Sequence, residues 1–184
     1  VNRGQYGPKL VRGAPFTAQV GMWWLYFKWQ WIRDAYGEQP TLQAMLAVLF
    51  LCLGLIGGYV HWAQDRRTFW YFGPLMFTLT LALIYYMNFK YGYSQAPELG
   101  QNVPREVRDR DYFYLWSYSA WAVWAALGLI WVWETVAASF GSDRVRVGAE
   151  TVEQPRRQSL LLASPLLIIA LIVPAESGVW LSTL

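Results

Sequence analysis

Uncharged apolar runs and short polar links alternate along this chain. Residues 42–62, LQAMLAVLFLCLGLIGGYVHW, contain no charge. At about 1.5 Å per residue a helix of that length reaches across a hydrocarbon layer of about 30 Å. A second run, 69–87, has aromatic residues at both ends, where half-polar rings suit the headgroup boundary. A third, 112–138, carries Trp116, Trp121, Trp124, Trp131 and Trp133, and its spacing puts Trp121 and Trp124 on one face. A fourth, 159–176, is SLLLASPLLIIALIVP followed by Ala175 and Glu176, with Pro165 and Pro174 as kink or exit points. Gly54, Gly57 and Gly58 in the first run read as a surface for close helix approach. Pro74 is expected in the first turns of the second span, where a missing backbone donor costs least.

The stretch before these runs differs. Gly4, Gly7, Pro8, Gly13 and Pro15 predict an extended loop. Thr17 then reads as the N-cap of a helix in which Trp23, Trp24, Tyr26, Phe27, Trp29 and Trp31 alternate with Lys28, Gln30, Arg33 and Asp34, ending near Gly37 and Pro40. Aromatic rings mixed with charge predict a helix lying in the membrane interface. The expected fold is therefore an all-α integral membrane protein. Residues 1–41 form a loop and an interfacial aromatic helix, and residues 42–184 a four-span bundle interrupted by a polar loop, 88–111.

Composition agrees with that class. Of 184 residues, 55% are hydrophobic and 15% charged, and 12 are tryptophan, which is too apolar for an ordinary soluble domain. The net charge of +3 is spread over several loops, so nucleic acid is not an expected partner. Cys52 is the single cysteine and His61 the single histidine, which leaves no internal disulfide and no zinc-ligand spacing. The chain opens on Val1 without a signal-peptide pattern, and its natural start is expected to lie elsewhere. Four spans put the N-terminal segment, loop 88–111 and the C-terminus on one side. Lys9, Lys28, Arg33, Lys90, Arg105, Arg108 and Arg110 there balance Arg66, Arg67, Arg144, Arg146, Arg156 and Arg157 opposite, so basic residues do not fix the orientation.

Candidate chemistry concentrates in the polar loop. No nucleophile elbow, P-loop, HExxH, CxxC or dinucleotide fingerprint occurs. Arg105, Arg108 and Arg110 have the chemistry to bind a lipid phosphate or pyrophosphate, with Asp109 and Asp111 orienting the guanidiniums. The plainer alternative, which the residues alone favour, is that Arg105 to Asp111 make mutually neutralising surface pairs. Tyr91, Tyr93, Tyr112, Phe113 and Tyr114 read first as an aromatic belt and second as a stacking platform. Glu134 is expected to reach headgroup water or pair with Arg144 or Arg146. His61 is the one histidine able to ligate a porphyrin-like pigment.

The stretch YYMNFKYGYSQAPELGQNVPREVRDRDYFYLWSYSAWAVWAALGL, residues 85–129, resembles a family of large bacterial membrane proteins of unknown function related to the eukaryotic transmembrane protein O-mannosyltransferases. The opening VNRGQYG is similar to a segment in the middle of those proteins. The resemblance implies a GT-C type glycosyltransferase that moves a sugar from a polyprenyl-phosphate donor, with this chain as the C-terminal half of its membrane domain. It also implies a bacterial inner-membrane location with loop 88–111 in the periplasm. The carboxylate base expected in the first external loop of such enzymes has no counterpart here, so no catalytic residue carries over and the chain is not expected to act alone. Membrane lipids, and either other membrane chains or the rest of a longer polypeptide, are the expected partners. A structural subunit of a larger assembly, for instance a photosynthetic reaction-centre and antenna complex with pigment contacts, is the alternative.

Overall fold

A computed structural model describes residues 13–31, 40–100, 102–106, 111–147 and 150–176. The expectations for residues 1–12 and for Arg108, Asp109 and Arg110 lie outside the described residues, whereas the aromatic helix expected to end near Gly37 and Pro40 ends earlier, at Trp29, and Pro40 opens the next helix. Among the described residues five helices follow one another: α1 Phe16–Trp29, α2 Pro40–Gln64, α3 Arg66–Met87, α4 Leu115–Phe140 and α5 Arg157–Glu176. A 3-10 turn, Asp111–Tyr114, leads into α4. Among the described residues three helical stretches, Pro40–Gln64, Arg66–Met87 and Asp111–Phe140, are long and apolar enough to cross a membrane. Helix α5 continues through Pro165 and Pro174 to Glu176.

Helix α1 starts two residues earlier than its sequence suggests. Pro15, in an extended conformation, precedes its first turn without a side-chain cap, and Thr17 lies inside the helix. Proline suits that place because its missing N–H is one the first turn leaves unused. The helix does not lie across the end of the bundle. It runs along α4, since Trp23 meets Ser117 and Tyr118 while Phe27, one turn on, meets Tyr118 and Trp121. Met22, Tyr26 and Phe27 are among the most deeply buried side chains of the molecule. The aromatic stripe read as interfacial is thus the core of the fold, closed by Ala47, Met76, Ile84 and Phe89 from the other elements.

Helices α2 and α4 run in the same direction and approach at backbone distance. A side chain at Gly57 would meet the Trp124 carbonyl, and one at Gly128 the Leu53 carbonyl. Gly54 makes room for the Trp121 indole and Gly58 for that of Trp124. The expected glycine surface is therefore a packing surface. Indole N–H groups then fasten helix to helix. Trp121 Nε1 donates to the Phe50 carbonyl (3.1 Å), Trp133 Nε1 to the Leu160 carbonyl (3.2 Å), and Trp23 Nε1 to the buried Ser117 hydroxyl (3.1 Å). A buried indole needs such an acceptor, so each bond also fixes the rotation of its helix.

Only Asp65 separates α2 from α3, so the expected link over residues 63–67 is mostly helix. As a result Pro74 sits in the interior of α3 and not in its first turns. Its ring removes a donor from the ladder, and one turn later, at Thr78–Ala82, the helix widens to π geometry. Thr78 and Thr80 return their hydroxyls to the carbonyls of Pro74 and Met76 at 2.8 and 2.6 Å. Asn88, in the left-handed conformation at φ 47°, ends α3.

The polar link after α4 is not a plain loop. Ser142–Val147 and Glu150–Pro155 form an antiparallel hairpin, β1 and β2, with Arg144 opposite Glu153 and Val145 opposite Val152. The Gly141 carbonyl closes its root by accepting from the Arg156 amide and the Ser159 hydroxyl, both at 3.0 Å.

Candidate functional site

The polar loop folds onto the start of α1. Asn88, turned into the left-handed region, offers its Oδ1 to the amide of Gly13 (3.0 Å) and to Gln19 Nε2 (3.2 Å). The Ala14 amide donates to the Phe89 carbonyl at 3.0 Å. A Cβ at Gly13 would lie 2.6 Å from the Asn88 carbonyl oxygen, so only glycine permits this approach. Farther along, Gln95 Nε2 donates to the Ala18 carbonyl. Gly13, Ala14 and Ala18 thus join the start of α1 to the loop at one end of the bundle.

Within the loop the predicted charged residues act on backbone groups. Arg105 donates from Nε to the Gly100 carbonyl (2.9 Å), from Nη1 to Gly92 (2.9 Å) and from Nη2 to Ala96 (2.6 Å), with its guanidinium 5.0 Å above the Tyr93 ring. Three of the five N–H donors of this guanidinium are thereby committed to carbonyls that close the loop. Glu106, 7% exposed, accepts from the Lys90 amide at 2.9 Å, and its own amide donates to the Tyr91 carbonyl at 3.0 Å. The two legs of the loop are thus bridged at Tyr91 and Arg105. Among the described residues neither Arg105 nor Glu106 enters a side-chain ion pair of the kind that their alternation suggested. Asp111, half-buried, opens the 3-10 turn into α4.

The aromatic residues of the loop divide. Tyr114 is fully buried against Tyr26, Phe89 and Tyr118, whereas Tyr93 and Tyr112 are exposed. The hydroxyl of Tyr114 has no hydrogen-bond partner among the described residues. At the opposite end, Glu134 is exposed on α4, and Arg144 pairs with Glu153 (3.3 Å) instead of with it.

Sequence reasoning missed a relay around His61. Trp124 Nε1 donates to His61 Nδ1 (3.2 Å), which leaves Nε2 as the protonated nitrogen of the neutral ring. That nitrogen lies 2.8 Å from the Thr68 hydroxyl, which in turn donates to Asp65 Oδ2 at 2.7 Å. The order Trp–His–Thr–Asp has the wrong polarity for His61 to take a proton from Thr68, so it is a fastening and not a nucleophile–base pair. With both ring nitrogens engaged, pigment ligation would require one of these bonds to break. The signal was legible only as His61 and Thr68 seven residues apart across a turn. Among the described residues no group of three or more His, Cys, Asp or Glu side chains comes together as a metal site. In comparisons with known proteins, no family model, no curated protein and no solved structure matches this chain.

Proposed function

We propose that this chain is a membrane-embedded helical bundle, the C-terminal half of the membrane domain of a GT-C-like glycosyltransferase in the bacterial inner membrane. In this reading α2, α3, α4 and α5 span the bilayer and the folded loop faces the periplasm. The observation that carries the membrane part is the outer surface of the helices. Met45, Leu55 and Tyr59 of α2, Trp70, Tyr71 and Phe77 of α3, and Leu161 and Leu162 of α5 are all exposed, large apolar side chains on the outer faces of three helices that lipid would cover. The transferase part rests on the family resemblance.

The chain is not catalytic by itself here. Its contribution is a wall of helices and the chemistry of Arg108 and Arg110 for the phosphate of a polyprenyl-phosphate sugar donor, while Arg105 and Glu106 fasten the described part of the loop. Measured binding of polyprenyl phosphate to the purified chain tests this. The wild type should bind, and Arg108→Ala with Arg110→Ala should weaken binding by roughly tenfold or more, as loss of charge-assisted bonds implies. Absence of binding, or equal binding by both proteins, removes the donor-site reading.

A second reading, a non-catalytic subunit of a larger membrane assembly, is favoured by one observation. The Arg105 guanidinium, the described member of the arginine cluster, is committed to the loop's own carbonyls. Native mass spectrometry of the gently extracted complex separates the two, since co-purifying membrane subunits support the second and a much longer polypeptide the first.

A further inference from the structure

We infer that Arg66 and Arg67 form a docking surface for a phospholipid of net negative charge, at the end of the bundle opposite the folded loop. The inference rests on the membrane reading above. At this end α2 passes to α3 across Asp65, whose carboxylate is used by its own helix. Oδ1 accepts from the amides of Arg67 and Thr68, both at 3.1 Å, and Oδ2 from the Thr68 hydroxyl. Asp65 thus caps α3 and is not a counter-ion for its neighbours.

Arg66 and Arg67 are both exposed, and neither has an ion pair among the described residues. Arg66 lies with its guanidinium 5.1 Å above the Trp62 ring, a contact that positions the charge and leaves its N–H edge open. The other described arginines with defined partners behave differently. Arg144 and Arg156 are paired with Glu153 and Asp143, at 3.3 and 2.8 Å, and Arg105 is folded into its loop.

The surface continues in tiers down the outer face of α3. One turn below the arginines come Trp70 and Tyr71, 64% and 77% exposed, and below them Leu75, Phe77 and Leu81, also exposed. Guanidinium, aromatic ring and aliphatic chain follow the order of phosphate, glycerol–ester region and acyl chain in a phospholipid. A free anion would need the arginines alone and has no use for the lower tiers. Charge complementarity and this layering together select an anionic lipid.

The test is a titration of the full chain, purified in mild detergent, with phosphatidylglycerol and separately with phosphatidylcholine, bound lipid being counted by native mass spectrometry. The wild type should prefer phosphatidylglycerol. Arg66→Gln with Arg67→Gln should lower that affinity by on the order of fivefold per arginine. Arg144→Gln with Arg156→Gln, at the same end but already ion-paired, should leave it within about twofold. Unchanged phosphatidylglycerol affinity in the Arg66 and Arg67 variant, or no preference in the wild type, overturns the inference. Displacement of the lipid by millimolar inorganic phosphate overturns the lipid assignment in favour of a free-anion site. Retention of the protein after carbonate washing is read on the membranes from which it is extracted. A chain that stays in the membrane without lipid preference therefore removes this inference and leaves the membrane reading intact.

Discussion

Helices α1 and α3 exchange the roles their sequences suggest. α1, with Lys28, Gln19 and a run of half-polar rings, supplies Met22, Tyr26 and Phe27 to the centre of the molecule. α3, nearly free of charge beyond its first turn, buries only Met76 and Ile84 and turns most of its large side chains outward. In water that distribution would be inverted, since apolar area is driven inside. In a bilayer the lipid is as apolar as leucine, so burial follows packing shape and hydrogen-bond needs instead. Trp23 and Tyr118 are inside because their polar atoms find Ser117 and the Trp23 carbonyl there, at 3.1 and 3.2 Å. Tyr71 and Phe77 of α3 are outside, and none of the ring-stacked core of α1 reaches them.

Substitutions sharpen this contrast. Phe27→Ala should cost about 3–5 kcal/mol, because it empties a position ringed by Trp23, Trp31, Tyr118 and Trp121. Tyr71→Ala on the outer face should stay within about 0.5 kcal/mol. Thermal or denaturant unfolding of the two variants in the same detergent makes the comparison, and equal losses would break it. Gly57→Leu should come next, at about 1–3 kcal/mol, by forcing α2 off the Trp124 carbonyl; unchanged stability there would mean that the helices do not meet at backbone distance. Asn88→Ala should follow at about 1–2 kcal/mol, since it loses the bonds to Gly13 and Gln19 and puts alanine in a left-handed conformation. Faster proteolysis of the loop in that variant, with α2 and α4 protected, would localise the effect.

The smallest effect concerns Asp65. The hydroxyl and amide of Thr68, and then the Arg67 amide, hold its carboxyl below the usual carboxylate range. A depressed folded value means that the cap stabilises α3 above the ordinary carboxylate range and loses this effect as pH falls through the lowered value. The difference in melting temperature between wild type and Asp65→Ala should accordingly be present at neutral pH and shrink on acidification. A pH-independent difference would show that the ionised carboxylate is not what stabilises the start of α3.

Helix positions were the most legible part of the sequence. Residues 42–62 fall within Pro40–Gln64, 69–87 within Arg66–Met87, and 112–138 within Asp111–Phe140, because uncharged length is a direct reading of composition. The direction each helix faces was not legible, since an apolar count is the same for a core contact and a lipid contact. The hairpin after α4 was missed although Val145 and Val147 alternate with Arg144 and Arg146 before Gly148, a period of two inside a segment read only for its charge. In the loop, residue types drew attention to Arg105, but its acceptors are backbone carbonyls, which every sequence has. The relay through Trp124, His61, Thr68 and Asp65 joins three helices and a turn, and its Trp124–His61 bond spans 63 positions, beyond any local pattern.

The central claim is that the exposed apolar faces of these helices meet lipid. Cys52, the only cysteine in the chain, lies exposed near the middle of α2 and needs no engineering to report on it. A nitroxide attached there, with the protein in lipid vesicles, is measured by spin-label power saturation against oxygen, which partitions into the bilayer, and a water-soluble nickel chelate, which does not. The account predicts strong relaxation by oxygen and little by the chelate, since Cys52 lies about 18 Å along α2 from its start at about 1.5 Å per residue. Ready access of the chelate to Cys52 would contradict it.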